Sequence, residues 1–415
     1  MFNWVEIAGM SKLLRNRFLI GILLSMTFLQ LGIWVRNFAV LLFVMEKTSG
    51  SALAVSLISV AEFAPIFIFS FIGGVWADRW KPKKTMVWCD IGSAVSVAFV
   101  LVALLFGTWK AVFLATLVSS ILSQFSQPSS MKLFKRQVPE EQLQTGMSMF
   151  QSVIAVFTLL GPILGTLCYY QFGISISIGL VSVCFFLSAA VLSFLPADTK
   201  LVKKEHSNDM RIEMVQGLKY IREKRILLLL GTCFCFTGLG VGFIQPLGIF
   251  LITDRLGLPK EDLQWLLSLN GMGMILGGAL TVMLSNVMQA RSLLAIGLAV
   301  NALCMAVSGL STFMWLTFLA QFFIGMVTPG FQVAVQTLIL KNTEQSYVGR
   351  VNGILSPLFM GSMLITMSMS GWLKDQLSVT VMYLLAGAFF GFGLLIIAPL
   401  FRKEPLAEIK SVNTL

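Results

Sequence analysis

Charge is scarce in this 415-residue chain. Asp, Glu, Lys and Arg together make up 12% of it, about half of what a water-soluble domain carries. So little charge does not hold a chain that is 57% hydrophobic in water, and the composition fits a membrane protein. Histidine is scarcer still. The single His206 sits in a charged stretch, which excludes His-dependent nucleophile triads and multi-histidine metal sites. The six cysteines, Cys89, Cys168, Cys184, Cys233, Cys235 and Cys304, fall inside apolar runs. Only Cys233 and Cys235 are close, and a one-residue gap fits neither zinc nor redox spacings, so they read as small buried hydrophobes. A phosphate loop is also missing: GMGMILGG at 271–278 has paired glycines but no strand before it. With no clustered His, Cys or acid constellation, the expectation is no enzyme activity, no cofactor and no metal.

What the chain has in abundance is long apolar runs. Twelve reach the roughly 20 residues that a spanning helix needs: 17–45, 52–76, 86–106, 111–131, 143–170, 174–195, 225–252, 262–288, 292–310, 312–340, 347–373 and 378–401. The first is too long for a signal peptide, and no small-residue cleavage site follows it. Alternating the sides from an inner N-terminus puts 24 of the 30 basic residues on one face and 5 on the other, with Arg36 alone inside a span. That asymmetry predicts a cell-membrane protein with both termini cytoplasmic. It also accounts for the net charge of +11 without a nucleic-acid partner.

The longest gap between runs, 196–224, divides the chain into six spans and six. The expected organisation is a first six-helix bundle at 1–196, a cytoplasmic linker at 197–224, a second bundle at 225–401 and a tail at 402–415. Met214, Leu218 and Ile221 recur at helical spacing in the linker, which predicts a short amphipathic helix, either on the inner leaflet or solvated between the bundles. The halves also echo one another. QPSSMKLFKRQVPEEQLQTG parallels TPGFQVAVQTLILKNTEQSYVG, each between a fourth and a fifth span. A repeated six-helix unit is a recurring design of alternating-access transporters.

Between spans two and three, GGVWADRWKPKK packs one acid and four basic residues into seven positions, Asp78 to Lys84. Twelve spans, a long central loop, and Gly74, Asp78, Arg79, Lys83 and Lys84 in this arrangement resemble the major facilitator superfamily. Lys81 and Pro82 stand where that family has a glycine and a basic residue. LLGPILGT in span five, with Gly161, Pro162 and Gly165, resembles the family's antiporter motif, where glycine permits close helix contact and proline a bend. RIEMVQGLKYIREKRILLLLGT, AVQTLILKNTEQSYVGRVNG and VPEEQL resemble the macrolide-efflux-type branch of drug exporters. The resemblance implies an all-α fold of twelve transmembrane helices in two pseudo-symmetric six-helix bundles. It also implies a latch in which Asp78 meets the start of span eleven, here beside Arg350, when the inner side is closed. One feature departs from the pattern: span four, AVFLATLVSSILSQFSQPSSM, holds no arginine, and Ser119 falls near its expected place.

An ionisable side chain at mid-membrane costs on the order of 3 kcal/mol on insertion scales, so each one is a functional candidate. These are Arg36 in span one, Glu62 in span two and Asp90 in span three. Asp90 lies about a turn from the inner end, where holding the latch loop is the alternative role. Arg36 and Glu62 each lie about 15 Å from the outer end at 1.5 Å per residue, a depth that lets them pair or share a network. Gln30, Asn37, Gln245, Asn270, Gln321 and Gln332 are candidates for a cavity rich in Phe and Met, with helix packing as the ordinary alternative for each. The expected function is export of an amphipathic, hydrophobic small molecule by alternating access, with the lipid bilayer and the small-molecule substrate as partners and protons as the candidate coupling ion. The alternatives are export of an endogenous metabolite such as a siderophore or lysolipid, and an uncoupled binding or sensor protein.

Overall fold

An apolar segment in lipid finds no water for its amides and carbonyls, so it must close its own hydrogen bonds. The computed structural model describes residues 17–137, 140–196, 210–284, 287–344 and 347–401, with backbone alone at 17, 70–79, 127–128, 132, 135–137, 140–145 and 210–213. Among the described residues every regular element is a helix. The first half begins with α1 (Arg17–Lys47), α2 (Ala52–Arg79), α3 (Pro82–Leu105) and α4 (Ala111–Gln137). A 54-residue helical stretch, Glu140–Ser193, follows and is broken at Gly173, with φ 72° and ψ 178°. Only glycine takes that backbone without strain. The break makes two crossings, α5 (140–172) and α6 (174–193), where the hydropathy pattern predicts two runs.

α7 (Met210–Glu223) precedes the second half, which holds α8 (Arg225–Ile244), α9 (Leu263–Leu284), α10 (Ala290–Leu310), α11 (Met314–Asn342), α12 (Val348–Leu377) and α13 (Val379–Ile397). α8 continues through a tight turn at Gln245–Leu247 and a wide one at Leu251–Arg255. Among the described residues ten stretches are long and apolar enough to cross a membrane, one of them the α5–α6 pair. α4 is of crossing length at 27 residues but is not among them. Thr116, Ser119, Ser120, Ser126 and Ser129 share its buried face with Val112, Ala115, Leu133 and Phe134. Division at Gly173 and inclusion of α4 give the twelve crossings.

Within the first half α1 packs on the α5–α6 stretch, and α3 on α4 and that same stretch; within the second, α8 packs on α12 and α13, and α10 on α11 and α13. Between the halves α2 packs on α12 and the α5–α6 stretch on α9. The second span of each half thus meets the fifth of the other, as an approximate two-fold relation requires. Both seams are tight. The hydroxyls of Ser56 and Ser370 lie 3.0 Å apart across α2–α12, and Ser268 of α9 donates to the Leu159 carbonyl at 2.8 Å.

α7 is docked on the second half. Tyr220 stacks on Tyr347 with ring centroids 4.2 Å apart and planes 8° from parallel. Its hydroxyl accepts from Lys224 at 2.6 Å and from the Glu344 amide at 2.9 Å. The first of these bonds raises the Lys224 pKa, because the charged ammonium donates more strongly to the Tyr220 oxygen than the neutral amine does. The buried face is Gly217, Tyr220 and Ile221, while Met214, Val215 and Leu218 stay exposed. The stripe expected from spacing therefore splits: Ile221 turns inward, and Met214 and Leu218 turn outward.

Candidate transport cavity

A cavity of about 1010 Å³ lies between the halves, at the top of the range for small-molecule sites. All six predicted cavity residues line it: Gln30 and Asn37 from α1, Gln245 from the turn after α8, Asn270 from α9, and Gln321 and Gln332 from α11. Glu62 lines it too, and among the described residues it is the only wall residue bearing a carboxylate, ammonium or guanidinium. The apolar part mixes aliphatic side chains and methionines with rings, among them Trp34, Phe38, Phe63, Phe234, Phe331 and Phe359. Sequence reasoning missed Gln336, one turn beyond Gln332 and on the same wall; the i, i+4 spacing was the available signal.

The carboxamides differ in how they are held. Asn270 donates to the Gln321 carbonyl at 3.0 Å. Among the described residues no side-chain hydrogen bond holds Gln30, Gln245, Gln321, Gln332 or Gln336. Each of these keeps two donors and an acceptor open to the cavity.

Arg36 and Glu62 are brought to one level, but not into direct contact. Nε and Nη2 of Arg36 donate to Oδ1 of Asn37 at 3.1 and 2.9 Å, and Nδ2 of Asn37 donates to Oε1 of Glu62 at 2.7 Å. Arg36 is 4% exposed and stands behind the wall that Asn37 and Glu62 form. The shared network expected from depth is present, with an amide as its centre.

Asp90 does not line the cavity. It accepts from the Ser188 hydroxyl of α6 at 2.6 Å, and Ser188 in turn faces Ser25 of α1 at 2.8 Å. This buried chain joins three helices of the first half rather than reaching into the latch loop. Ser119 is buried on α4, and its hydroxyl meets no protein partner.

Of the latch residues, the side chains of Gly74, Asp78 and Arg79 lie outside those described. Lys83 donates to the carbonyls of Ser193 and Leu195 at 2.9 and 2.5 Å. It thus satisfies the end of α6 within its own half, where unpaired carbonyls and the helix dipole attract a cation. Lys84 makes contacts of its own. Arg350 stands on the first turn of α12 with its guanidinium over the Tyr347 ring, 5.0 Å from the centroid.

The Gly-Pro motif has a visible packing role. Pro162 is inside α5. A side chain on Gly161 would run into the Trp34 indole, and one on Gly165 would meet Phe38 at 2.7 Å and the Trp34 carbonyl at 2.9 Å. These glycines let α5 seat the helix that carries Gln30, Arg36 and Asn37.

At the end of the cavity remote from the latch, charged groups tie the halves together. Lys260, before α9, meets Glu46 of α1 at 2.6 Å, and Tyr169 of α5 donates to the other Glu46 oxygen at 2.5 Å. Hydropathy places Glu46 and Lys260 at outer ends, but nothing in the sequence pairs positions 214 residues apart. Nearby, Lys374 pairs with Asp254 at 2.7 Å within the second half.

Twelve crossings in two halves related by an approximate two-fold, with one cavity residue of full charge among the described residues, fit a membrane transporter. The model of the Major Facilitator Superfamily matches residues 22–259 and 230–414, and the chain belongs to that family. It is 28% identical over 383 residues to YfiS, an MFS-type transporter of Bacillus subtilis (strain 168), covering 89% of each chain. It is 23% identical over 389 residues to macrolide efflux protein A of Streptococcus pyogenes, covering 91% of this chain and 94% of that one. Among solved structures, the nucleoside transporter NupG superposes with a TM-score of 0.72 at 12% identity, covering 94% of this chain and 100% of that one. The POT family transporter PepTSo does so with 0.69 at 13%, covering 92% and 97%. At such identities these two support the fold.

Proposed function

We propose that this transporter exports a large, oxygen-rich amphiphile of the macrolide type from the cytoplasm, coupled to protons through Glu62. The observation that carries this reading is the cavity wall: five carboxamides without a side-chain hydrogen bond among the described residues, and an apolar surface that includes aromatic rings, surround one carboxylate. Hydroxyl and carbonyl groups of a bound molecule would pair with the carboxamides, and its apolar face would lie on the rings. The relationship to macrolide efflux protein A supports the substrate class, and the multidrug efflux pump Tap of Mycolicibacterium fortuitum, 24% identical over 351 residues, supports the direction. In this reading the basic face is cytoplasmic, both termini lie there, and residues 1–196 and 225–401 move as two bundles joined by 197–224. Asp78 and Arg79 would latch against Arg350 when the cavity opens to the other side.

Thermal stabilisation of the purified protein tests the substrate class. A macrolide is expected to raise the melting temperature more than a siderophore or a lysolipid does. Gln321→Leu is expected to weaken macrolide binding roughly three- to tenfold, the worth of one neutral hydrogen bond. Stabilisation by the lysolipid alone would replace the macrolide with an endogenous substrate. Ser119 at the place of the family's arginine favours a second reading, binding without coupled flux, which predicts macrolide binding but no transport in liposomes.

A further inference from the structure

Among the described residues, the only hydrogen bonds of the Arg36 side chain go to Asn37. The amide between Arg36 and Glu62 has one workable orientation. Its oxygen takes two guanidinium N–H groups and its nitrogen gives one to the carboxylate. Turned over, it would set N–H against N–H on one side and oxygen against oxygen on the other. Arg36 therefore fixes the amide, and the amide aims its donor at Glu62. A polarised amide strengthens the bonds on both of its sides. It also keeps the guanidinium out of the cavity while leaving its field on the carboxylate.

We propose that Asn37 is the positioning residue of this site: it transmits the charge of Arg36 to Glu62 and thereby sets the pH at which the cavity wall gains or loses its negative charge. The proposal deepens the proton-coupled reading above and rests on it for its functional meaning, though its geometry does not depend on any substrate. The charged and titratable surroundings of Glu62 are simple. Arg36 on α1 is the charged group acting on it. The neighbouring cavity residues of α12 are Ser356, Phe359 and Met360, and that of the turn after α8 is Gln245. α4 brings uncharged Ser119 and Ser120 to its buried face. With the wall ionised, Arg36 and Glu62 cancel; with Glu62 protonated, the buried guanidinium leaves a net positive charge behind the wall. Asn37, which touches both, is where that change is felt by a bound molecule.

The test needs no substrate. Full-length protein in lipid nanodiscs is titrated by infrared difference spectroscopy, and the carboxyl band lost in Glu62→Gln is assigned to Glu62. Asn37→Leu, close in shape but with neither donor nor acceptor, is expected to move the midpoint of that band to higher pH by about one unit or more, the usual scale for a lost hydrogen bond to a charged group. Arg36→Gln is expected to move it in the same direction. In the Asn37→Leu background Arg36→Gln is expected to add clearly less than it does alone, because groups that act through one another are not additive. Should Asn37→Leu not fold, Asn37→Ala, which also lacks donor and acceptor, carries the same expectations. An unmoved midpoint, a band that does not titrate, or fully additive shifts would each overturn the relay. The coupling reading fails separately, if Glu62→Gln leaves pH-driven transport intact while the relay is seen in the spectra. Asn37→Leu in transport assays is expected to shift the pH profile in the same direction as the spectroscopic midpoint.

Discussion

At the residue scale the ionisable side chains inside the membrane have specific partners. Glu62 and Arg36 share one amide, Asp90 is held by Ser188, and Lys83 closes the end of α6. The glycines of span five are equally specific. Gly161→Leu would drive a side chain into Trp34, where the neighbouring wall is an indole and not a flexible tip. Overpacking of this kind costs about 1–3 kcal/mol or more, so Gly161→Leu is expected to lower the melting temperature and to remove transport, whereas Gly278→Ala, which meets open space, is expected to leave both unchanged. Equal effects of the two would argue against a packing role for the motif. Much at this scale was legible in the sequence, since charge and carboxamides are rare in apolar runs and stand out there. The partner of each was not. Arg36 and Asn37 are neighbours in the chain, but that the amide lies between the two charges depends on side-chain direction, which depth alone does not set.

At the scale of elements, hydropathy located the crossings to within a few residues, including the α5–α6 division at Gly173. α4 shows why hydropathy alone falls short. Its buried serines face neighbouring helices instead of lipid, and polar atoms so placed lower the apolar signal without preventing a crossing. α7 shows a second limit. Spacing gave an amphipathic helix but not which side docks, because Tyr220 and Gly217 do the docking on α12. Tyr220→Ala removes the stack on Tyr347 and the bonds to Lys224 and Glu344. Truncating a buried aromatic costs about 3–5 kcal/mol, so amide exchange over 210–223 is expected to accelerate by roughly two orders of magnitude or more while exchange in α1 stays as it was. Unchanged exchange over 210–223 would mean that α7 is held by something other than this contact.

At the scale of the molecule, the reciprocal seams α2–α12 and α5–α9 are where the two halves would slide in the proposed rocking about the cavity. The Glu46–Lys260 pair ties them at the face remote from the proposed latch. Glu46 is 47% exposed, so solvent screens the pair and its worth is about 1 kcal/mol or less. Glu46→Gln is therefore expected to raise the population open on that face by up to about fivefold, read as longer distances between spin labels at Lys47 and Lys374. An unchanged distribution would leave the pair as surface decoration. The central claim is that Glu62 carries the driving charge of an alternating-access exporter, and its most direct test is transport in proteoliposomes. Wild type and Glu62→Gln are compared for uphill movement of a labelled macrolide under a pH gradient and for counterflow without one. The account predicts that Glu62→Gln abolishes the uphill component and retains counterflow. Normal uphill transport by Glu62→Gln would contradict it.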